Sequence, residues 1–123
     1  MNTWKSADVA NIVGQEEIHI RTRRADGSLR RPRIIWVVGG GERIFIRSTN
    51  GRGADWFRWA IATREGALEA RGAAYDVVFR EADPADLATI DAGYREKYGR
   101  YASIVDHLLT DGPRAATFEV FPA

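Results

Sequence analysis

The chain has 123 residues, 45% hydrophobic and 28% charged, values typical of one globular domain, so we expect a single domain over residues 1–123. It has no cysteine and only two histidines, which excludes disulfides, a thiol nucleophile and three-histidine zinc sites, and we predict no metal site. No apolar run approaches the roughly 18 residues of a membrane span, and no secretory signal is visible, so we expect a cytoplasmic protein with no membrane partner.

The net charge of +1 conceals an uneven distribution of charge along the chain. Residues 21–64 carry eleven arginines and three acidic residues, a net charge of +8, whereas residues 65–123 have a net charge of −5. One interpretation is an arginine-rich composition with solvated strand faces. The other is a surface that receives an anion, because the planar guanidinium matches phosphate and carboxylate.

The first half of the chain predicts one helix and three strands. Apolar spacing predicts a short helix over 4–14, and alternating residues predict a half-buried strand over 17–23. A nearly continuous apolar run predicts a central strand over 33–38, and a third strand follows over 43–48. Because short turns join these three strands, we predict an antiparallel meander.

The second half predicts further helices and strands. Helices are predicted over 55–63, 83–99 and 103–112, and strands over 65–71, 75–81 and 117–121. The short links between strands exclude parallel units with helical crossovers. We therefore predict an α+β, mainly β fold, in which six strands form an antiparallel barrel or strongly bent sheet with short helices packed outside.

The segment 47–56, between the third strand and the next helix, has the composition of an anion site. It holds hydroxyls, a side-chain amide, two glycines and two arginines ahead of a helix N-terminus. Glycines allow backbone N–H groups to approach an anion, and the helix end favours negative charge. Taken alone, the same pattern more often describes a polar surface loop.

Segments 21–38 and 43–51 give the chain a family resemblance. In these segments a basic strand is followed by a turn with glycine, then by a proline-led strand, and then by a strand that ends in serine and a glycine loop. This order resembles the deazaflavin-dependent nitroreductase group. That group belongs to the split-barrel superfamily, which includes pyridoxamine-phosphate oxidases. Segments 56–60 and 90–98 most resemble a small bacterial family called domain of unknown function 2255. The resemblance covers about residues 15–121.

The resemblance implies a split barrel that forms a homodimer and holds a flavin-type cofactor, FMN or a deazaflavin, near the subunit interface. Trp56 and Trp59 would wall the cofactor ring. The residues implied to bind the cofactor are, in chain order, Arg47, Ser48, Thr49, Asn50, Gly51, Arg52 and Arg58.

The function that follows from the resemblance is an oxidoreductase that reduces a small molecule by hydride transfer, with no catalytic residue indicated. The chain departs from the nitroreductase pattern at Ala54 and Asp55, where that pattern has a proline before the aromatic helix. The alternative is therefore a split barrel that has lost the flavin and binds another small anionic ligand without redox chemistry. Nucleic-acid binding ranks third, because the basic segment has few interleaved aromatic residues.

Overall fold

One antiparallel sheet of seven strands forms the framework of the protein, which the computed structural model describes from residue 1 to residue 123. The strands are β1 (Ile18–Thr22), β2 (Arg33–Ile35), β3 (Val38–Gly40), β4 (Arg43–Arg47), β5 (Glu65–Ala70), β6 (Ala73–Glu81) and β7 (Thr117–Pro122). The helices are α1 (Ser6–Val13), α2 (Asp55–Thr63), α3 (Leu87–Tyr98), α4 (Ala102–Leu108) and α5 (Asp111–Arg114). Single 3₁₀ turns cover Gly51–Gly53 and Pro84–Asp86. None of the helices has the length and apolar character that a membrane span requires.

The predicted strand over 33–38 is in fact two strands, so the predicted six strands become seven. Trp36 and Val37 separate β2 from β3, and these two strands have different neighbours. β2 pairs with β1 and β3 pairs with β4, so the predicted three-strand meander is interrupted after β2. The continuous apolar run correctly indicated burial of Ile35, Val37 and Val38, but burial alone does not tell which strand each residue pairs with.

The strand order makes the sheet curl. Across the sheet the order is β2-β1-β5-β6-β7-β4-β3, so β2 and β3 form its two opposite edges. Only Trp36 and Val37 join these edges, and so short a segment spans at most about 10 Å. The edges must therefore approach each other at this point, and the sheet closes into a half-barrel.

Side chains of α3 satisfy the backbone of this crossing segment, Trp36 and Val37. The Val37 N–H donates to the Tyr98 hydroxyl at 3.0 Å, and Lys97 Nζ donates to the Val37 carbonyl at 2.7 Å. Lys97 also donates to the carbonyl of Val13, at the end of α1, at 2.7 Å. The Tyr98 ring stacks on Trp36 with a centroid separation of 4.0 Å. Side chains of α3 thus hold the segment that joins the two edge strands, β2 and β3.

Strand β4 is buried on both faces, which fixes the direction of its last side chains. Ile44 and Ile46 pack in the larger core, inside the barrel, whereas Phe45 packs in a second core with residues of α3 and α4. Because side chains alternate along a strand, Arg47 lies on the same side as Phe45. The end of β4 therefore lies between the barrel and the two helices.

Candidate functional site

A cavity of about 900 Å³ lies along the crossing segment and the end of β4. Its size is at the upper end of the range of about 300–1,000 Å³ found for sites of small organic ligands. Elements distant in the sequence contribute to it: the residue before β1, β2, the crossing segment, the end of β4, the loop after β4, the start of α2, and α4. The lining residues are Glu17, Arg33, Ile34, Ile35, Trp36, Arg47, Ser48, Thr49, Asn50, Gly53, Ala54, Asp55, Trp56, Ile104 and Leu108.

Arg47, whose side chain is fully buried, is anchored by three of its neighbours. Its Nη1 donates to the Asp91 carboxylate at 2.7 Å and to the Leu108 carbonyl at 3.0 Å, and its Nε donates to the Thr117 hydroxyl at 2.8 Å. The other Asp91 oxygen accepts from Arg114 at 3.0 Å. The Arg47 Nη2 group is buried and has no partner. This arginine, which lines the cavity, thus retains one unused donor group.

The loop after β4 is held by its own backbone and by α4. The Ser48 hydroxyl donates to the Gly51 carbonyl at 2.8 Å, and Gly51 has a φ of 71°, a left-handed conformation that favours glycine. His107 Nε2 lies 2.7 Å from the Thr49 carbonyl oxygen. The side chains of Thr49 and Asn50 are exposed, line the cavity and make no hydrogen bond within the protein. The loop therefore presents two free polar side chains from a fixed backbone.

Two tryptophans wall the cavity. Trp36 lies against the Tyr98 ring, and burial raises the pKa of Tyr98 to about 12. Trp56, at the start of α2, packs against Phe118 with a centroid separation of 6.1 Å. Both indoles are half-buried, so part of each surface remains open to a ligand. Aromatic walls of this kind suit a planar ring.

Some charged side chains that line the cavity form ion pairs within the protein, and others do not. Asp55 forms an ion pair with Arg58 at 2.5 Å, and Arg47 is paired as described above. Glu17 and Arg33 have no oppositely charged side chain within 4.0 Å. The charges available to a ligand without breaking an ion pair are therefore one carboxylate and one guanidinium.

The structure brings some of the predicted binding residues together at this cavity. Those that line it are Arg47, Ser48, Thr49, Asn50 and Trp56. Gly51 is buried beneath them and forms the turn of the loop.

The remaining predicted residues make other contacts. The Arg52 guanidinium forms an ion pair with Glu81 and lies over the Phe57 ring at 5.1 Å. Arg58 is exposed and paired with Asp55 on its own helix. The Trp59 ring does not line the cavity and instead contacts arginine side chains from the β1–β2 region. None of these three groups lines the cavity, and their predicted roles in binding stay predictions.

Several lining residues were missed by the sequence analysis, chiefly on β2 and α4. Ile34 was assigned to a central strand, yet β2 is an edge strand and Ile34 is 64% exposed. Ile104 on α4, 45% exposed, carries no local pattern that marks a ligand site. One signal was available for β2: arginines at 30, 31 and 33 directly precede the apolar residues, which is unusual for a strand buried on both faces.

Comparison with solved structures reveals the same fold in reductases. An F420-H2 dependent reductase (FDR-A) is 16% identical, with a TM-score of 0.66 over 86% of this chain and 94% of that one. An F420 reductase is 17% identical, with a TM-score of 0.52 over 93% and 92% of the two chains. An FAD-binding protein from Mesorhizobium loti is 10% identical, with a TM-score of 0.58 over 99% and 92%. At such identities the likeness establishes the fold, a split barrel.

Comparison of the sequence with family models gives a more direct relationship. No curated protein matches the chain significantly. The model of a family described as uncharacterized protein conserved in bacteria, DUF2255, matches residues 8–120. The match includes β1 to β6, most of β7, and helices α2, α3 and α4. The chain therefore belongs to the DUF2255 family.

Proposed function

We propose that this protein binds a flavin-type cofactor, FMN or a deazaflavin, in the 900 Å³ cavity and reduces a small molecule by hydride transfer. The observation that carries the proposal is the pairing, in one cavity, of the polar 47–50 loop with the two tryptophan walls. The shared fold of F420-dependent reductases and an FAD-binding protein supports it.

The residues present fit such a cofactor. Arg47 has an unused buried donor, and the Thr49 and Asn50 side chains are free to donate to a phosphate. Trp36 and Trp56 offer partly exposed indole surface to a planar ring. When bound, the cofactor supplies the hydride chemistry, whereas the protein binds it, orients it and keeps water away.

One observation favours the alternative, a non-redox protein that binds another small ligand. Glu17 and Asp55 also line the cavity, and acidic groups oppose a phosphate. The Asp55 carboxylate is compensated by Arg58, so its opposition is reduced. Glu17 has no such partner, and the alternative depends mainly on that residue.

Titration with FMN, riboflavin and a deazaflavin, followed by tryptophan fluorescence and by absorbance of the retained ligand, tests the proposal. We expect tight binding of a flavin or deazaflavin, with FMN preferred to riboflavin because only FMN carries a phosphate. A protein that binds none of the three would contradict the proposal and leave the non-redox alternative.

A charge introduced into the loop locates the phosphate. Asn50→Asp should weaken FMN binding by at least about tenfold, because a carboxylate would face the phosphate, while riboflavin binding stays within about twofold. Thr89→Asp is the matched control, since it adds the same charge at an exposed position of α3 outside the cavity. Equal losses in the two variants would mean that the phosphate does not lie at this loop.

A further inference from the structure

We propose that Arg33 forms a second anion-recognition site at the mouth of the cavity, which holds a carboxylate or phosphate of a bound ligand. This inference deepens the proposed function and rests on it for the identity of the cavity as a reaction site. Arg33 lies on β2, an edge strand, whereas the polar 47–50 loop follows β4, near the opposite edge. The two groups therefore approach a ligand from the two sides of the gap in the barrel.

The first step of the argument is the absence of a partner for Arg33. Most arginines of the chain have a carboxylate within 4.0 Å, including Arg47 and Arg52. The six that have none are Arg24, Arg30, Arg31, Arg33, Arg71 and Arg95. Of these six arginines only Arg33 lines the cavity. It is exposed, so its charge is available to a ligand that enters.

The second step is the way Trp59 holds this charge. The Arg33 guanidinium carbon lies 5.4 Å from the centre of the Trp59 ring, and that of Arg30 lies 4.5 Å from the same ring. Arg30 is fixed further by donation to the Thr22 hydroxyl at 3.3 Å. Stacking uses the face of a guanidinium and leaves the N–H groups at its edge free to bind an anion. The site is thus partly ordered before a ligand arrives.

The third step is electrostatic. Two guanidinium groups on one indole repel each other, and neither has a carboxylate within 4.0 Å. The free carboxylate of the cavity, Glu17, precedes β1, whereas Arg33 pairs with Ile20 three residues further along that strand. Glu17 forms no ion pair with Arg33. A bound anion would provide the missing negative charge.

The Arg33 guanidinium is suited to an anionic oxygen group, and two groups would supply one: the phosphate of the cofactor, or a carboxylate on the molecule to be reduced. Two pairs of probes distinguish them. FMN and riboflavin differ in the phosphate, and para-nitrobenzoate and para-nitrobenzamide differ in the carboxylate. Binding is measured by tryptophan fluorescence for the unaltered protein, Arg33→Gln and Arg31→Gln. Arg31 is the matched control, because it is exposed in the same segment, is unpaired and does not line the cavity.

We expect Arg33→Gln to reduce the preference for the anionic member of one probe pair by about tenfold or more, and Arg31→Gln to change it less than about twofold. If only the preference for nitrobenzoate over nitrobenzamide falls, the site binds the substrate. If only the preference for FMN over riboflavin falls, the site binds the cofactor. The effect should persist at about 0.15 M salt, where diffuse attraction is screened. Matching thermal midpoints of the two variants exclude unfolding as the cause.

Equal effects of Arg33→Gln and Arg31→Gln, or no anion preference in the unaltered protein, would overturn the inference. Riboflavin binding reports the ring site separately, since riboflavin carries no charge. Riboflavin bound with no role for Arg33 would overturn the second site and leave the proposed function standing. Nitrobenzoate held through Arg33 without any flavin binding would overturn the proposed function and leave the second site standing.

Discussion

At the scale of single residues, the buried ion pair between Arg47 and Asp91 connects the cavity to α3. Arg47 comes from the end of β4 and Asp91 from the first half of α3, and Arg114 beyond α4 contacts the second Asp91 oxygen. A buried charge without a partner is costly, so each member depends on the others. The arrangement fixes the strand end from which the cavity loop departs.

We predict that Asp91→Asn destabilises the protein by about 3–5 kcal/mol, because it leaves the Arg47 guanidinium buried without its counter-charge. The measurement is the free energy of unfolding from a urea titration. Asp55→Asn is the control, because it removes the exposed pair with Arg58, and such pairs contribute only about 0–1 kcal/mol. Similar losses in the free energy of unfolding for both variants would show that the buried Arg47–Asp91 pair contributes no more stability than an exposed pair.

At the scale of elements, the sequence located most helices and strands but misjudged one strand and merged α4 and α5 into one helix over 103–112. Helix α3 lies within the predicted range 83–99 but begins at Leu87, and Asp83 instead caps the preceding 3₁₀ turn, where its Oδ1 accepts from the Ala85 N–H at 2.9 Å. Local capping chemistry of this kind is visible in a single segment. The break at Trp36 and Val37 is not, because it depends on Tyr98 and on pairing with distant strands.

Only part of the candidate site was predictable from the sequence, namely the part that lies within one continuous segment. The loop from Arg47 to Asn50 and the following Trp56 form one segment with a recognisable composition, and they line the cavity. The opposite wall comes from β2 and α4, which curling of the sheet brings beside that loop. No local pattern in Ile34 or Ile104 records that approach.

We predict that Tyr98→Phe destabilises the protein by about 1–3 kcal/mol. The change keeps the ring that stacks on Trp36 but leaves the buried Val37 N–H without its partner. Urea unfolding measures the loss in the free energy of unfolding. Tyr101→Phe serves as the comparison, since its hydroxyl contacts only the exposed Glu16 carboxylate, and it should cost less than about 1 kcal/mol. If Tyr98→Phe lowers the free energy of unfolding no more than Tyr101→Phe does, the role of the Tyr98 hydroxyl in holding the Val37 backbone is contradicted.

At the scale of the whole molecule, two exposed isoleucines beside the cavity bear on assembly. Ile34 is 64% exposed on an edge strand, and Ile104 is 45% exposed on α4. Large apolar side chains at an unpaired sheet edge are typical of a surface that another chain covers. We therefore predict a symmetric homodimer that buries these side chains.

Light scattering at about 50 μM protein should give the mass of two chains. Ile34→Glu should shift the mass towards one chain, because a carboxylate would be buried in the interface. Ala88→Glu is the control, since Ala88 is also an exposed apolar residue, on α3, but does not line the cavity. A monomer mass for the unaltered protein would contradict the prediction.

The division of one continuous segment between the two edges of the sheet also has a consequence for the order of folding. β3 and β4 can form a local hairpin, but β4 joins the rest of the sheet only through β7, whose residues 117–120 pair with residues 44–47 and whose residues 118–122 pair with β6. The barrel therefore cannot close before that last strand is available, however early the hairpins appear. Pairings so distant in sequence are entropically expensive to nucleate, and they place the protein among slowly folding topologies, on a timescale of about milliseconds to seconds.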